Sequence, residues 1–239
     1  MFSMRLLYLQ NGSKRETVSG LELRFAAAGF DVDFVWAYAD EEPDDLLRYH
    51  ACFVSGSPHG AYEDIGWINR QHGWLQKLAA LNVPMLGICF GSQILASALC
   101  GRDQVFRRST CEVGYMDLTV TPAARSDALA CQLGESVHMF VWHNDEVRAG
   151  HPDMVILARS QDCPNHVWRH ARHPAWGIQG HPEVSGAQAV QWFESSWARL
   201  EADGADVAAL QRAAVDAAEA ETMLANFMRL ALTGELRAA

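Results

Sequence analysis

Apolar and polar positions switch between two periods along the first hundred residues. Residues 4–9 (MRLLYL), with a short apolar run over 6–9, read as a short buried strand. Residues 18–28 place apolar side chains at helical spacing and stop at Gly29. Residues 30–35 alternate apolar and acidic, which predicts a second strand. Residues 51–54 and 83–88 are further bounded apolar runs and read as strands. The run at 51–54 leads into Ser55-Gly56-Ser57-Pro58, a turn cluster. Residues 65–81 and 92–99 read as helices, stopped by Asn82 and Gly101. Strands alternating with helices at this interval predict βαβ units and a parallel sheet.

Beyond Gly101 the pattern changes. Short strands are expected at 113–120, 137–142, 154–158, 166–170 and 176–179, with one short helix at 127–132. They extend the sheet and add an antiparallel one. From residue 187 the chain reads as helical, 187–200 and then 207–232, broken at Asp203-Gly204. Alanines between 205 and 220 supply helix propensity. Met223, Leu224, Phe227 and Leu230 supply an apolar face, expected to pack on the chain's own core. There is no internal repeat and no low-complexity linker. The expectation is one domain over 1–239 with a helical extension from about 203 to 239.

Composition narrows the class. The chain has 239 residues, 49% of them hydrophobic and 20% charged, which fits a globular protein. Nineteen basic side chains against 29 acidic ones give a net charge of −10 and disfavour a nucleic-acid surface. No apolar run is long enough to span a membrane, and the amino-terminal run is too short for a signal peptide. The expected location is the cytoplasm. There the six cysteines (52, 89, 100, 111, 131 and 163) are expected reduced, since none forms a Cys-x-x-Cys pair. Zinc-type Cys/His spacing is missing, so neither metal nor cofactor is expected.

Two segments carry chemistry. In Val83-Pro84-Met85-Leu86-Gly87-Ile88-Cys89-Phe90-Gly91-Ser92-Gln93 a buried strand runs into Gly-x-Cys-x-Gly and then a helix. An isolated cysteine usually reads as core. In this order, however, the residues make the cysteine form of a nucleophile elbow. Glycines at 87 and 91 admit a tight turn, and the thiol meets a helix N-terminus. The other five cysteines read as core or inert. In the second segment, Trp176-Gly177-Ile178-Gln179-Gly180-His181-Pro182-Glu183, an apolar strand ends on a loop histidine with an acid two residues on. Alone it reads as a polar surface loop; beside a cysteine elbow it supplies a base and an orienting carboxylate. His143 ends a strand and reads either as a residue lining the cleft or, preferably, as a strand-end polar residue. His50, His72, His151, His166, His170 and His173 read as surface groups.

Together these two motifs resemble the class I, triad-type glutamine amidotransferase domain. The similarity covers roughly residues 4 to 200. Ser55-Gly56-Ser57-Pro58-His59-Gly60-Ala61-Tyr62-Glu63-Asp64 is similar to the family's glycine loop. Glu112-Val113-Gly114-Tyr115 is similar to the strand beside bound glutamine. His143-Asn144-Asp145-Glu146-Val147 is similar to a stretch of the stand-alone subgroup, GMP-synthase-like proteins and plant γ-glutamyl peptidases.

The resemblance implies a flavodoxin-like α/β fold: a mostly parallel central sheet flanked by helices, with a small antiparallel sheet. It implies Cys89 as nucleophile, His181 as base and acid, and Glu183 as the orienting carboxylate. Backbone N–H groups of Gly56 or Ser57 and of Phe90 would form an oxyanion hole. Gln93 and the Gly114-Tyr115 backbone would hold the γ-glutamyl group. The implied activity is hydrolysis of glutamine or a small γ-glutamyl amide through a thioester. The alternative is a non-catalytic binding or regulatory subunit that keeps the fold. Ser92 departs from the family, which commonly has histidine there. The roughly 50 residues after His-Pro-Glu are too few for a synthase domain. An ammonia acceptor is therefore expected on a separate synthase subunit, or there is none.

Overall fold

A computed structural model describes residues 4–17 and 19–235. Strand β1 (Met4–Gln10) has side chains buried on both faces over its apolar run at 6–9, as such a run requires. Leu6 and Tyr8 enter one core; Leu7 and Leu9 enter the other. Residue 18, where the first helix was expected to start, lies outside the described residues. That helix, α1, runs Leu21–Ala28 and ends at Gly29 in the left-handed conformation. Strands β2 (Phe30–Trp36), β3 (Ala51–Val54) and β4 (Met85–Ile88) follow the expected pattern. So do helices α2 (Gly66–Ala80) and α3 (Phe90–Cys100).

The second half contributes β5 (Val105–Val120), β6 (Ser136–Val147), β7 (Met154–Arg159), β8 (Val167–His170) and β9 (Ala175–Ile178). The nine strands form one sheet in the order β2-β1-β3-β4-β9-β8-β7-β5-β6. The first five in that order are mutually parallel, and the rest are antiparallel. The antiparallel strands thus continue the parallel sheet. One face is covered by α1 and the final helix α7 (Ala218–Thr233), the other by α2 and α3. Phe227 of α7 meets Phe25 of α1 edge-on at 6.3 Å, so α7 packs on the chain's own core.

Three local expectations need correction. Residues 127–132 form a run of turns, not a helix. The Asp127 carboxylate there accepts from the N–H groups of Leu129 and Ala130 and from the Trp176 indole. It also pairs with Arg169, so it serves as a buried anchor. Residues 187–200 split into α4 (Gly186–Ser195) and α5 (Trp197–Ala202). Residues 207–232 split into α6 (Val207–Arg212) and α7. The second break follows from Asp216, whose side chain accepts from the Gly186 N–H at 2.8 Å.

Strand order places the chemistry. In an open parallel sheet, loops leaving the carboxyl ends of neighbouring strands share one edge. Val54 pairs with Gly87, and Ile88 pairs with Ile178. The residues that follow β3, β4 and β9 therefore emerge side by side: Ser55-Gly56-Ser57, Cys89 and Gly180-His181.

Candidate active site

Cys89 joins β4 to α3 with φ 53° and ψ −112°, a strained conformation for a residue with a side chain. Its N–H donates to the Ile178 carbonyl at 2.8 Å, and its carbonyl accepts from the Gln93 N–H at 3.1 Å. The turn is tight because β3, β4 and α3 touch. A Cβ on Gly91 would lie 2.0 Å from the Val54 carbonyl oxygen, and one on Gly87 would lie 2.2 Å from that of Gly91. Side-chain-free positions on both sides of the cysteine are therefore a packing requirement.

His181 follows β9 and is nearly enclosed. Its N–H donates to the Phe140 carbonyl at 2.7 Å. Its Nδ1 lies 2.8 Å from Glu183 Oε1, and its ring lines the same cleft as Cys89. Trp192 stands edge-on to the ring at 5.3 Å. Burial alone would push the imidazole pKa down. The Glu183 charge, together with Cys89, outweighs burial and raises it to about 10. The structure thus brings together the cysteine, the histidine and the acid that the two motifs put nearly a hundred positions apart in sequence.

The cleft above them encloses about 490 Å³. Gly56 and Ser57 line it, and an ideal Cβ on Gly56 would sit 3.7 Å from the Cys89 Cβ. The loop is held from behind. Ser55 Oγ donates to Gln10 Oε1 and accepts from the Asn11 N–H, both at 2.8 Å. Phe90 opens α3 with its ring buried against Trp67. Gln93 lines the cleft, and its amide nitrogen donates to the Asp145 carbonyl at 3.0 Å.

Gly114 and Tyr115 are not among the lining residues. Gly114 faces Leu210 of α6, and the Tyr115 ring stacks on His138 and leans on Phe140. Residues not foreseen do line the cleft: Lys14, Arg107, Trp142, Trp192 and Arg199. Arg107 and Arg199 sit on elements far apart in sequence, and nothing local marks either one.

Ser92, the departure from the family pattern, is fully buried beneath the sheet. Its Oγ accepts from the Trp168 indole at 2.9 Å. It faces Gly177, where a Cβ would come within 2.4 Å of it. A larger side chain at 92 has no room beside Trp168. The hydroxyl is a packing partner of this particular indole and lies outside the cleft.

The histidines also need correction. His72, His166 and His170 are buried, not surface groups. Burial, with Arg102 nearby, lowers the His72 pKa to about 4; burial and His173 lower that of His170 equally. His143 does line the cleft, but it lies buried within β6 rather than at its end, with Nε2 2.7 Å from Glu112 Oε2.

Comparison with known proteins agrees with this geometry. The family model for "Glutamine amidotransferase class-I" matches residues 16–196. The chain belongs to the class I glutamine amidotransferase family. Among curated relatives, a glutamine-hydrolyzing GMP synthase subunit of Pyrococcus abyssi is 30% identical over 126 residues. The match covers 53% of this chain and 64% of that protein, a little under two thirds of its length. Gamma-glutamyl peptidase 5 of Arabidopsis thaliana is 30% identical over 213 residues, covering 86% of this chain and 84% of that one. A glutamine amidotransferase structure from Thermotoga maritima superposes over the whole of both chains with a TM-score of 0.79 at 21% identity. The family and the α/β architecture expected from the two motifs are both borne out. Among the described residues, no helix is long and apolar enough to cross a membrane.

Proposed function

We propose that this chain hydrolyses the side-chain amide of glutamine or of a small γ-glutamyl amide through a Cys89–His181–Glu183 triad. The observation that carries this reading is Cys89 on its strained elbow, sharing one cleft with an imidazole that Glu183 holds at 2.8 Å.

The chemistry follows from the geometry. Glu183 fixes the ring with Nδ1–H toward the carboxylate, so Nε2 faces sulfur. The Cys89 thiol gives its proton to His181 Nε2 and its sulfur attacks the γ-carbonyl carbon. The oxygen takes up the electron pair and is met by backbone N–H groups of Gly56 or Ser57 and of Phe90. Collapse re-forms the carbonyl and expels the amine, which takes a proton from His181. The thioester is then attacked by water, with His181 accepting its proton, and glutamate leaves with the thiol restored. Gln93 holds the cleft wall through Asp145 and contributes to the γ-glutamyl subsite.

A cleft of about 490 Å³ has room for more than free glutamine. The long match to a γ-glutamyl peptidase points the same way. The similarity to a GMP synthase subunit supports the other source of amide, with ammonia passing to a synthase on another chain. Glutamate release from glutamine and from γ-glutamyl dipeptides separates the two. Cys89→Ala should lower turnover by at least about 10³-fold, with His181→Asn close behind and Glu183→Gln the mildest loss. Turnover that survives in Cys89→Ala would remove the triad reading. A protein inactive on the whole panel, in which Cys89 shows no raised reactivity, would point to a binding subunit that keeps the fold.

A further inference from the structure

Beside the cleft, and sharing His143 with its lining, lies a second cluster that the proposed hydrolysis does not use. Glu112 of β5, His143 of β6, Cys163 of the β7–β8 loop and His166 just before β8 are all buried. Each can present one donor atom, and these atoms lie within 4.8 Å of one another. Glu112 and His143 are direct cross-strand partners, immediately past an irregularity in the β5–β6 pairing. His166 Nε2 is 3.6 Å from Glu112 Oε2.

The donor atoms of the cluster already converge. His143 Nδ1 lies 2.9 Å from the Asp145 carbonyl, which can only accept, so Nδ1 carries a hydrogen and is held outward. Nε2 is left facing Glu112 Oε2 at 2.7 Å. A cation can take the place of the proton that this contact shares. His166 Nδ1 is buried and meets no partner among the described residues.

We propose that these four side chains form a structural zinc(II) site. One thiolate, one carboxylate and two neutral imidazoles cancel the charge of a divalent ion, which a buried site requires. Nitrogen with sulfur favours zinc over magnesium or calcium. Tetrahedral zinc with bonds of about 2.0–2.3 Å puts its ligand atoms roughly 3.3–3.8 Å apart. The Glu112–His143 pair therefore opens slightly and the widest pair closes by about 1 Å on binding, and the Cys163 thiol gives up its proton to solvent.

The site has a mechanical purpose. Strand β5 pairs with β7 only at Thr119 and Val120, so the arm formed by the rest of β5 and β6 has no ladder to the main sheet. Zinc would tie that arm to the β7–β8 loop. The same stretch of β6 supplies Trp142, whose carbonyl is 3.8 Å from Cys89 Sγ, and Asp145, which holds Gln93.

The test is metal uptake by chelator-stripped protein, independent of any substrate. Cys89→Ala is the background, so that the catalytic thiol cannot ligate. Zinc chloride is titrated against a chromophoric chelator, and cobalt(II) is loaded in parallel. The expected result is one zinc per chain, a raised melting temperature and the near-ultraviolet thiolate-to-cobalt absorption. Cys163→Ser and His166→Gln should each weaken binding by more than about 100-fold. No tight uptake, uptake unchanged in both variants, or a cobalt complex without the thiolate band would overturn the proposal. The cobalt spectrum of the background chain needs no cluster variant, so a variant that fails to fold leaves the test decisive.

Discussion

Cys89 holds a backbone conformation that costs a residue with a side chain about 1–3 kcal/mol, and neighbouring contacts enforce it. His181 next to it is buried yet favoured in its charged form, because Glu183 and the thiol offset desolvation. That has a consequence for stability. A folded-state pKa raised from 6.5 to about 10 means protonation favours the fold. The contribution is complete below about pH 6.5 and is lost as pH rises through about 10. Glu183→Gln removes the strongest raising charge. Its melting temperature should trail the wild type most near pH 6 and converge on it toward pH 10. A gap that is flat or widens with pH would contradict the assigned role of Glu183.

The two motifs were readable because each is local. A strand pattern, two glycines and a helix pattern follow one another between residues 83 and 99, and the elbow is what they build. Gly91→Ala tests it. The added methyl meets a backbone carbonyl at 2.0 Å, which cannot swing aside as a side-chain tip would. The variant should lose roughly 1–3 kcal/mol or more in a denaturant titration, along with most turnover. A Gly91→Ala chain of wild-type stability would mean the elbow is looser than these contacts imply. Other elements were less legible because distant partners decide them. Asp127 looked like the start of a helix, yet its carboxylate is claimed by Trp176 and Arg169. The alanine-rich stretch after 205 has helix propensity throughout, yet Asp216 pulls it open to reach Gly186. Residues 105–112 were missed as part of β5 because a run of arginines, serine and threonine breaks the alternation.

At the scale of the molecule, parallel order turns three separate loops into one site, since β3, β4 and β9 end side by side. No linear spacing shows that adjacency. The resemblance to a known family supplied it for Cys89, His181 and Glu183, which the fold unites. It supplied Gly114 and Tyr115 too, which the fold turns away toward α6 and the β6 aromatics. The four buried side chains of the proposed zinc site come from β5, β6 and the β7–β8 loop. Their spacing in sequence, from Glu112 to His166, gives no metal signature, and only the antiparallel arm makes them neighbours.

The central claim is that Cys89 attacks a γ-glutamyl carbonyl. The most direct measurement is covalent labelling by a glutamine analogue that carries an electrophilic carbon in place of the amide, located by peptide mass spectrometry. The expected result is one adduct per chain on Cys89, blocked by excess substrate and much slower in His181→Asn. Exposed Cys131 and half-buried Cys100 and Cys111 should stay unlabelled. Labelling spread over those cysteines, or glutamate release with Cys89 unmodified, would contradict attack by Cys89.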